Sequence, residues 1–365
     1  MSLGQFSASD FRTFHRAERR PARLLEPVMD PAGWDAAALA DVSSWSYRIS
    51  PQDIDELCEA IATVRRNGVD IVDIGQRDFP LQAFGDLMRD VRRELADGRG
   101  VVMLRGFPVD RFDREERAIA FLGLGSYIGK PVSQNGKGHI LGHVKDLGAD
   151  YWEPNSRGYM SRAELLFHVD PTEYVGLLCL RSSKHGGESR IASSVTVYNR
   201  MLAQRPDLAK VLAEDWYFSR TGEKNPDELP WFKQPIFSFT DGYFSAGGIG
   251  AGVEKAPALP DVPPWTEAQK EAVKVYREVI QDCAVDIPFE PGDIQFLNNH
   301  VMLHTRREYE DWPEDDRKRH LLRLWLYDPT GRPISDVKRQ GRTGQGVALK
   351  GVKLKAPLDV HSMAD

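Results

Sequence analysis

The chain has 365 residues, 48 of them basic and 54 acidic, and a formal net charge of -6, so its overall electrostatics favour neither nucleic acid nor an anionic membrane as partner. With 41% hydrophobic and 10% aromatic residues it reads as globular, and neither a repeat nor a linker forces a domain boundary. Cys58, Cys179 and Cys283 lie far apart without CxxC spacing, which argues against a disulfide framework and a structural zinc site. The first residues do not resemble a signal peptide and no apolar run has membrane-spanning length, so the expectation is a cytoplasmic protein, alone or as a homo-oligomer, that acts on a small molecule.

Residues 1–50, rich in Arg, Pro and Ala with scattered aromatics, read as an irregular arm lying on the body. Ser50-Pro51-Gln52-Asp53 places a cap and a proline at the start of a helix whose apolar positions are Ile54, Leu57, Cys58, Ile61 and Val64, and Gly68 stops it. A second helix is expected from Pro80 to about Ala96, a buried strand over Gly100–Phe107, and a third helix from Asp113 to about Ile128. Gly123, Gly125 and Gly129 have the wrong spacing for a dinucleotide-binding turn and end a helix instead of following a strand. Lys130–Arg162 is polar, Gly-rich and without periodicity, the pattern of a loop that covers a site.

Strands are expected at 174–181 and 190–197, then helical turns through Tyr198–Leu202 and on to Ala213. Phe237–Ser245 reads as a hairpin turning at Asp241-Gly242, and Gly247–Gly252 as a flexible glycine loop. Thr266, at capping-box spacing from Gln269, opens a long amphipathic helix to about Asp282. The turn Glu290–Asp293, a strand at Ile294–Leu297 and a last strand near His320–Tyr327 follow, and 331–365 reads as a solvated or surface-packed tail. Many strands with helices at the front and in one crossover predict a mainly β sandwich or barrel core with a helical buttress.

Chemistry concentrates at Phe167-His168-Val169-Asp170. In an extended chain His168 and Asp170 share a face about 7 Å apart, two-thirds of a 2-His-1-carboxylate facial triad for non-haem Fe(II). His304 is the candidate third ligand; a helical His300/His304 zinc pair is disfavoured because no Glu stands beside His300. In Arg319–Tyr327 read as a strand, His320, Leu322, Leu324 and Leu326 form one apolar face, and Arg319, Leu321, Arg323 and Trp325 the other. Covering the apolar row drives both guanidinium groups into the barrel, where a carboxylate should meet them.

In their order, His168-Val-Asp170, Gly186-Gly187-Glu188-Ser189, Pro291-Gly292-Asp293, Asn298-Asn299, His304-Thr-Arg306 and Arg319-(x3)-Arg323 resemble the TauD/TfdA (taurine dioxygenase-like, clavaminate synthase-like) superfamily of Fe(II)/2-oxoglutarate-dependent oxygenases. The match runs over residues 100–328. The resemblance implies a double-stranded β-helix (jelly-roll) core there within a single catalytic domain. It implies His168, Asp170 and His304 as iron ligands, with 2-oxoglutarate as co-substrate and O2 as oxidant. Arg319 matches the arginine that grips the distal carboxylate of 2-oxoglutarate, and Ser189 the threonine that hydrogen-bonds it; Glu188 for Asp and Ser189 for Thr depart from the family pattern. Arg323 matches a position that meets an acidic substrate group or steadies the co-substrate near the metal. Substrate contacts are expected from Gln134, Tyr159 and Phe167, with Gln134 foremost because related amino-acid hydroxylases resemble the chain there. The implied outcome is hydroxylation with release of succinate and CO2, and the presence of Asp170 disfavours halogenation. The alternatives are a zinc hydrolase or isomerase using the same ligands, which needs no buried arginine, and a non-catalytic 2-oxoglutarate-binding protein.

Overall fold

Ser50 caps the first helix as its sequence predicts. Its hydroxyl accepts from the Asp53 N–H at 3.2 Å, the Asp53 carboxylate accepts from the Ser50 N–H at 2.7 Å, and Gly68 ends the helix at φ 62°. This computed structural model describes residues 18–341 and 343–360, so the start of the expected arm and the end of the tail lie outside the described residues. The helices used below are α1 (Pro51–Asn67), α2 (Ala83–Asp97), α3 (Arg114–Ser126), α4 (Ser194–Gln204), α5 (Pro206–Leu212), α6 (Ala251–Lys255), α7 (Glu267–Cys283) and α8 (Asp336–Gln340). Helix α2 starts later than Pro80 because its cap comes from α1: the Glu56 carboxylate accepts from the N–H groups of Gln82, Ala83 and Phe84.

The strands in chain order are β1 (Ser46–Arg48), β2 (Val101–Arg105), β3 (Lys130–Pro131), β4 (Leu141–Val144), β5 (Tyr174–Arg181), β6 (His185–Gly186), β7 (Ser189–Ser193) and β8 (Asp215–Ser219). After them come β9 (Trp231–Pro235), β10 (Phe237–Thr240), β11 (Tyr243–Ala246), β12 (Val285–Ile287), β13 (Ile294–Asn298), β14 (Met302–Arg306), β15 (Tyr309–Glu310) and β16 (His320–Tyr327). The main sheet runs β1-β2-β13-β5-β16-β3, with β4 also on β16, and a smaller sheet β12-β7-β14 faces it. Together they form the jelly-roll core, mainly β with a helical buttress.

The main sheet divides the apolar interior. On one side Leu322, Leu324 and Leu326 pack with Leu57, Phe84, Phe121 and Phe296 under α1–α3; on the other, Trp325, Ile191 and Leu303 join the residues of α4, α5 and α7. The alternation expected of β16 is therefore present, apolar residues toward the helices and Arg323 with Trp325 toward the second sheet. Gly123 and Gly125 bring α3 close to its neighbours, since a Cβ would stand 2.3 Å from Phe79 Cγ or 2.8 Å from Leu324 Cδ1.

Three expectations change. The segment 130–162 is not wholly a loop, because β3 and β4 find their partner in β16, far along the chain, and no local periodicity is needed for that. The strand expected over 190–197 ends at Ser193, whose hydroxyl accepts from the Thr196 N–H at 3.1 Å and starts α4 there; Val195 and Val197 suggest a strand but lie in a capped helix. The supposed arm joins the sheet through β1, which runs parallel to β2, and buries Trp34 and Trp45. The Asp241-Gly242 hairpin is as expected, with both residues at positive φ (51° and 79°), the signature of a tight primed turn.

Candidate active site

His168 and His304 are held by the backbone before any side chain is considered. Each donates its N–H to the other's carbonyl at 3.0 Å, an antiparallel bridge between the segment entering β5 and the middle of β14. Their rings consequently stand 4.4 Å apart between centroids. Asp170, two residues on, has its N–H fixed by Asn299 Oδ1 at 3.1 Å, and its Oδ2 lies 3.8 Å from His304 Nε2. One ligand atom from each of the three residues falls within 4.8 Å of the others. The glycine run expected to be a flexible loop packs here: Gly248 pairs with His168, and a Cβ on Gly250 would meet His168 Cβ at 2.7 Å.

The protonation states suit a cation. His168 Nδ1 contacts the Leu166 carbonyl at 2.8 Å, which makes Nδ1 the donor and leaves Nε2 as the ring nitrogen available to a ligand. Burial, reinforced by His168, pulls His304 down to about 3, so its imidazole is neutral. Burial opposes ionisation of Asp170, but Arg323 and the two imidazoles hold its carboxyl below the usual range. Among the described residues its buried Oδ2 has no hydrogen-bond partner. Two imidazoles, that of His304 neutral, with an ionised carboxylate and an orphaned carboxylate oxygen fit a divalent metal of the Fe(II) kind.

These residues line a cavity of about 290 Å³ that also receives Ser189, Arg319 and Arg323. Arg319 is 5% exposed, its ring neighbour is Tyr309 at 5.2 Å, and its buried Nη1 has no acceptor among the described residues. Gly187 permits this approach, because the space a Cβ would take lies 3.3 Å from Arg319 Nε. A fixed guanidinium cannot shed its charge, so the vacant donor and the nearby Ser189 fit the carboxylate of a 2-oxoacid co-substrate. Arg306, in the same wall, differs: it donates to the carbonyls of Ser161, Ala163 and Arg307 and so clamps the loop before His168.

Arg323 reaches into the cavity beside the triad, its Nη1 3.6 Å from Asp170 Oδ1 and its guanidinium 5.2 Å from the ring of Tyr159. Gln134 lies behind it rather than on the main cavity. Its Oε1 accepts from Arg323 Nε at 2.7 Å, and its Nε2 donates to the carbonyls of Arg323 and Ile140. Phe167 faces away from the cavity, under Arg190 at 5.6 Å, as alternation beside an inward His168 requires. The residues that sequence reasoning missed come from the tail, where Lys338, Gly341, Thr343 and Val347 line the cavity. Ile334 and Lys338 are buried, and the Gly344 and Val347 N–H groups reach the Pro171 and Ser133 carbonyls. The expectation of a solvated or merely surface-packed tail is thus corrected; the available signal was Ser335 at cap spacing before Lys338. His300, expected only as a discounted zinc partner, sits in the turn before β14.

Comparison with known proteins decides the family. The model of the taurine catabolism dioxygenase TauD, TfdA family matches residues 63–325. The chain belongs to this TauD/TfdA family. It is a non-haem Fe(II)/2-oxoglutarate-dependent oxygenase. The chain is 30% identical over 337 residues to FR-33289 synthase of Streptomyces rubellomurinus, covering 90% of this chain and 98% of that protein. It is 29% identical to the taurine hydroxylase-like protein SAT17 of Stachybotrys chartarum, over 84% of this chain and 81% of that one. Among solved structures, asparagine oxygenase with Fe(II), 3-hydroxyasparagine and succinate superposes at a TM-score of 0.57 and 19% identity, covering 78% of this chain and 93% of that one. The non-haem iron oxygenase OrfP with Fe and α-ketoglutaric acid does so at 0.58 and 17%, covering 83% and 99%. The zinc hydrolase alternative has no support in these relatives. Among the described residues no helix is long and apolar enough to cross a membrane.

Proposed function

We propose that this TauD/TfdA-family oxygenase hydroxylates a small, polar, acid-bearing molecule, with His168, Asp170 and His304 as its iron ligands. Arg319, helped by Ser189, takes the distal carboxylate of 2-oxoglutarate, and Arg323 meets an acidic group of the substrate. The observation that carries the reading is the buried Arg319 Nη1 without an acceptor, opening on the cavity that holds the triad. Iron with 2-oxoglutarate and O2 supplies the oxidising power, with succinate and CO2 as by-products.

The chain's own residues supply position. The His168–His304 bridge sets the spacing of the imidazoles, and Asn299 orients Asp170. Arg323, stiffened by Gln134 and backed by Tyr159 and Trp325, aims its free edge beside Asp170, where a bound acid would lie close to the metal. Arg306 keeps the loop over the cavity in place. The hydroxylation of amino acids named for asparagine oxygenase and OrfP supports an amino acid or a related biosynthetic intermediate as substrate. The working setting is cytoplasmic, with neither nucleic acid nor a membrane as partner.

The test is spectroscopic first. Adding Fe(II) and 2-oxoglutarate without oxygen should produce the visible charge-transfer band of chelated 2-oxoglutarate; a flat spectrum with demonstrably bound iron overturns the reading. Screening acid-bearing metabolites for stimulated succinate release then identifies the substrate.

A further inference from the structure

Lys338 lies on the short helix α8, well outside the family motifs, and is 5% exposed. Its Nζ donates to Ser245 Oγ and to the Ala246 carbonyl, the latter at 3.2 Å. An ammonium has three N–H bonds, and these two acceptors leave one unused. Among the described residues no carboxylate pairs with it; by contrast, the equally buried Arg332 on the same segment is paired with Asp30 at 2.9 Å.

Beyond Ser245 the network runs through His300 to Glu173, whose Oε1 lies 3.7 Å from His300 Nε2 and whose carboxyl is pushed by burial up to about 8. Ser245 Oγ accepts from Lys338, so its single proton goes to His300 Nδ1, 2.7 Å away. Burial holds the His300 imidazole neutral. The network therefore orients the Lys338 nitrogen, while burial pulls its ammonium down to about 7, so that an anion bound beside it would hold the proton in place. A buried ammonium without a counter-ion gives up its proton more readily, and an acidic group placed against its spare N–H would stabilise the charged form.

Strand register locates this charge relative to the rest of the site. Along β14, Arg306 lies opposite Ser189 and Met302 opposite Ser193, with His304 between them. Ser189 and Arg319 thus mark one end of the cavity, and His300, just before β14, leads to the other, where Ser245 and Lys338 are. Ala246, whose carbonyl takes one Lys338 hydrogen, is two residues from Gly248, which pairs with His168. Lys338, Ala246, Gly248, His168, His304 and Arg319 all line the same cavity.

We infer that Lys338 is a second anion anchor for the substrate, so that the substrate class is an organic dianion: one acidic group at Arg323 and another, at the far end of the cavity from Arg319, at Lys338. This inference rests on the oxygenase reading above for the placement of 2-oxoglutarate at Arg319. A lysine ammonium is a point charge without the planar fork of arginine, so it accepts carboxylate, sulfonate or phosphonate oxygens alike. It also makes the C-terminal segment a determinant of specificity.

Sulfate is the probe, titrated calorimetrically into the full chain, both alone and with Fe(II) and 2-oxoglutarate bound under argon. Wild type should bind it in both conditions. Lys338→Met should weaken sulfate by about tenfold or more while leaving 2-oxoglutarate affinity and the charge-transfer band intact, and Lys338→Arg should stay within about threefold of wild type. Arg323→Leu separates the two anchors: residual sulfate binding in that variant should still be lost on adding Lys338→Met. The inference is overturned if wild type does not bind sulfate, if Lys338→Met binds it unchanged, if Lys338→Arg is as weak as Lys338→Met, or if Lys338→Met loses 2-oxoglutarate equally. A wild-type chain that binds sulfate through Lys338 yet gives no charge-transfer band would retain the anion anchor and overturn the oxygenase reading instead.

Discussion

The cavity has two halves built in different ways. The half containing His168, His304, Ser189 and Arg319 is tied to paired strands: Ser189 and His304 stand in the β7–β14 ladder, His168 is bridged to His304, and Arg319 directly precedes β16. The half containing Tyr159, Lys338 and Thr343 comes from loops and the tail, held by single hydrogen bonds such as Gly344 N–H to Pro171 O at 3.4 Å. Chemistry common to a family needs fixed geometry and sits on the sheet; recognition of a particular substrate can vary and sits on segments that can be rebuilt without disturbing it.

The strongest way to break this division is to detach the tail. Arg332 and Asp30 are each 3% exposed in their side chains, and their ion pair ties the tail to the N-terminal segment. Asp30→Ala leaves the guanidinium buried and alone, and should lower stability by about 3–5 kcal/mol. Hydrogen exchange should rise first around 334–348, with the β7–β14 ladder protected; equal loosening of both would erase the distinction. Burial opposes the charge on Asp30, but Arg332 and Arg19 hold its carboxyl below the usual range. Its contribution is therefore complete above the unfolded carboxyl value of about 4 and is lost as pH falls through the lower folded value, so wild type and variant should converge in acid.

The next largest effect belongs to the sheet half. Arg319→Leu should weaken 2-oxoglutarate by about 100-fold, ~2.7 kcal/mol, with Fe(II) affinity unchanged, measured by titrating the charge-transfer band. Loss of both ligands together would indicate misfolding rather than a missing anchor. A smaller effect is expected where the halves meet. Gln134→Leu removes the group that orients Arg323 through a 2.7 Å hydrogen bond, and should raise the substrate KM about tenfold while sparing 2-oxoglutarate. If Gln134 instead contacted the substrate directly, changing substrate size at that end would rescue the variant.

The same division explains what could be read from the chain alone. The shared face of His168 and Asp170 and the two-faced β16 were legible because strand alternation turns spacing into direction, whereas Ser189 and the role proposed for Arg319 came only with the family resemblance. Gln134 was recognised in the right neighbourhood, but its role goes through Arg323, and a hydrogen bond between residues 189 positions apart leaves no local trace. Phe167, expected as a substrate contact, lies on the other face, where alternation beside an inward His168 sends it. Lys338 was hard to see because α8 is a short helix of five residues without an apolar stripe, packed on β9 and tied by its lysine to Ser245 and Ala246, far along the chain.

The bridge between His168 and His304 has one more consequence. Two backbone hydrogen bonds hold the spacing of these two side chains. In a zinc finger the metal assembles its own ligands and the chain unfolds when it leaves. Here the socket is finished beforehand, so under the proposed ligand set a chelator should strip the protein and leave it folded and refillable. Which ion refills it is then governed by the intrinsic affinity order of the transition metals and by their supply, so an inert ion such as Zn(II) can silence the enzyme without damaging it.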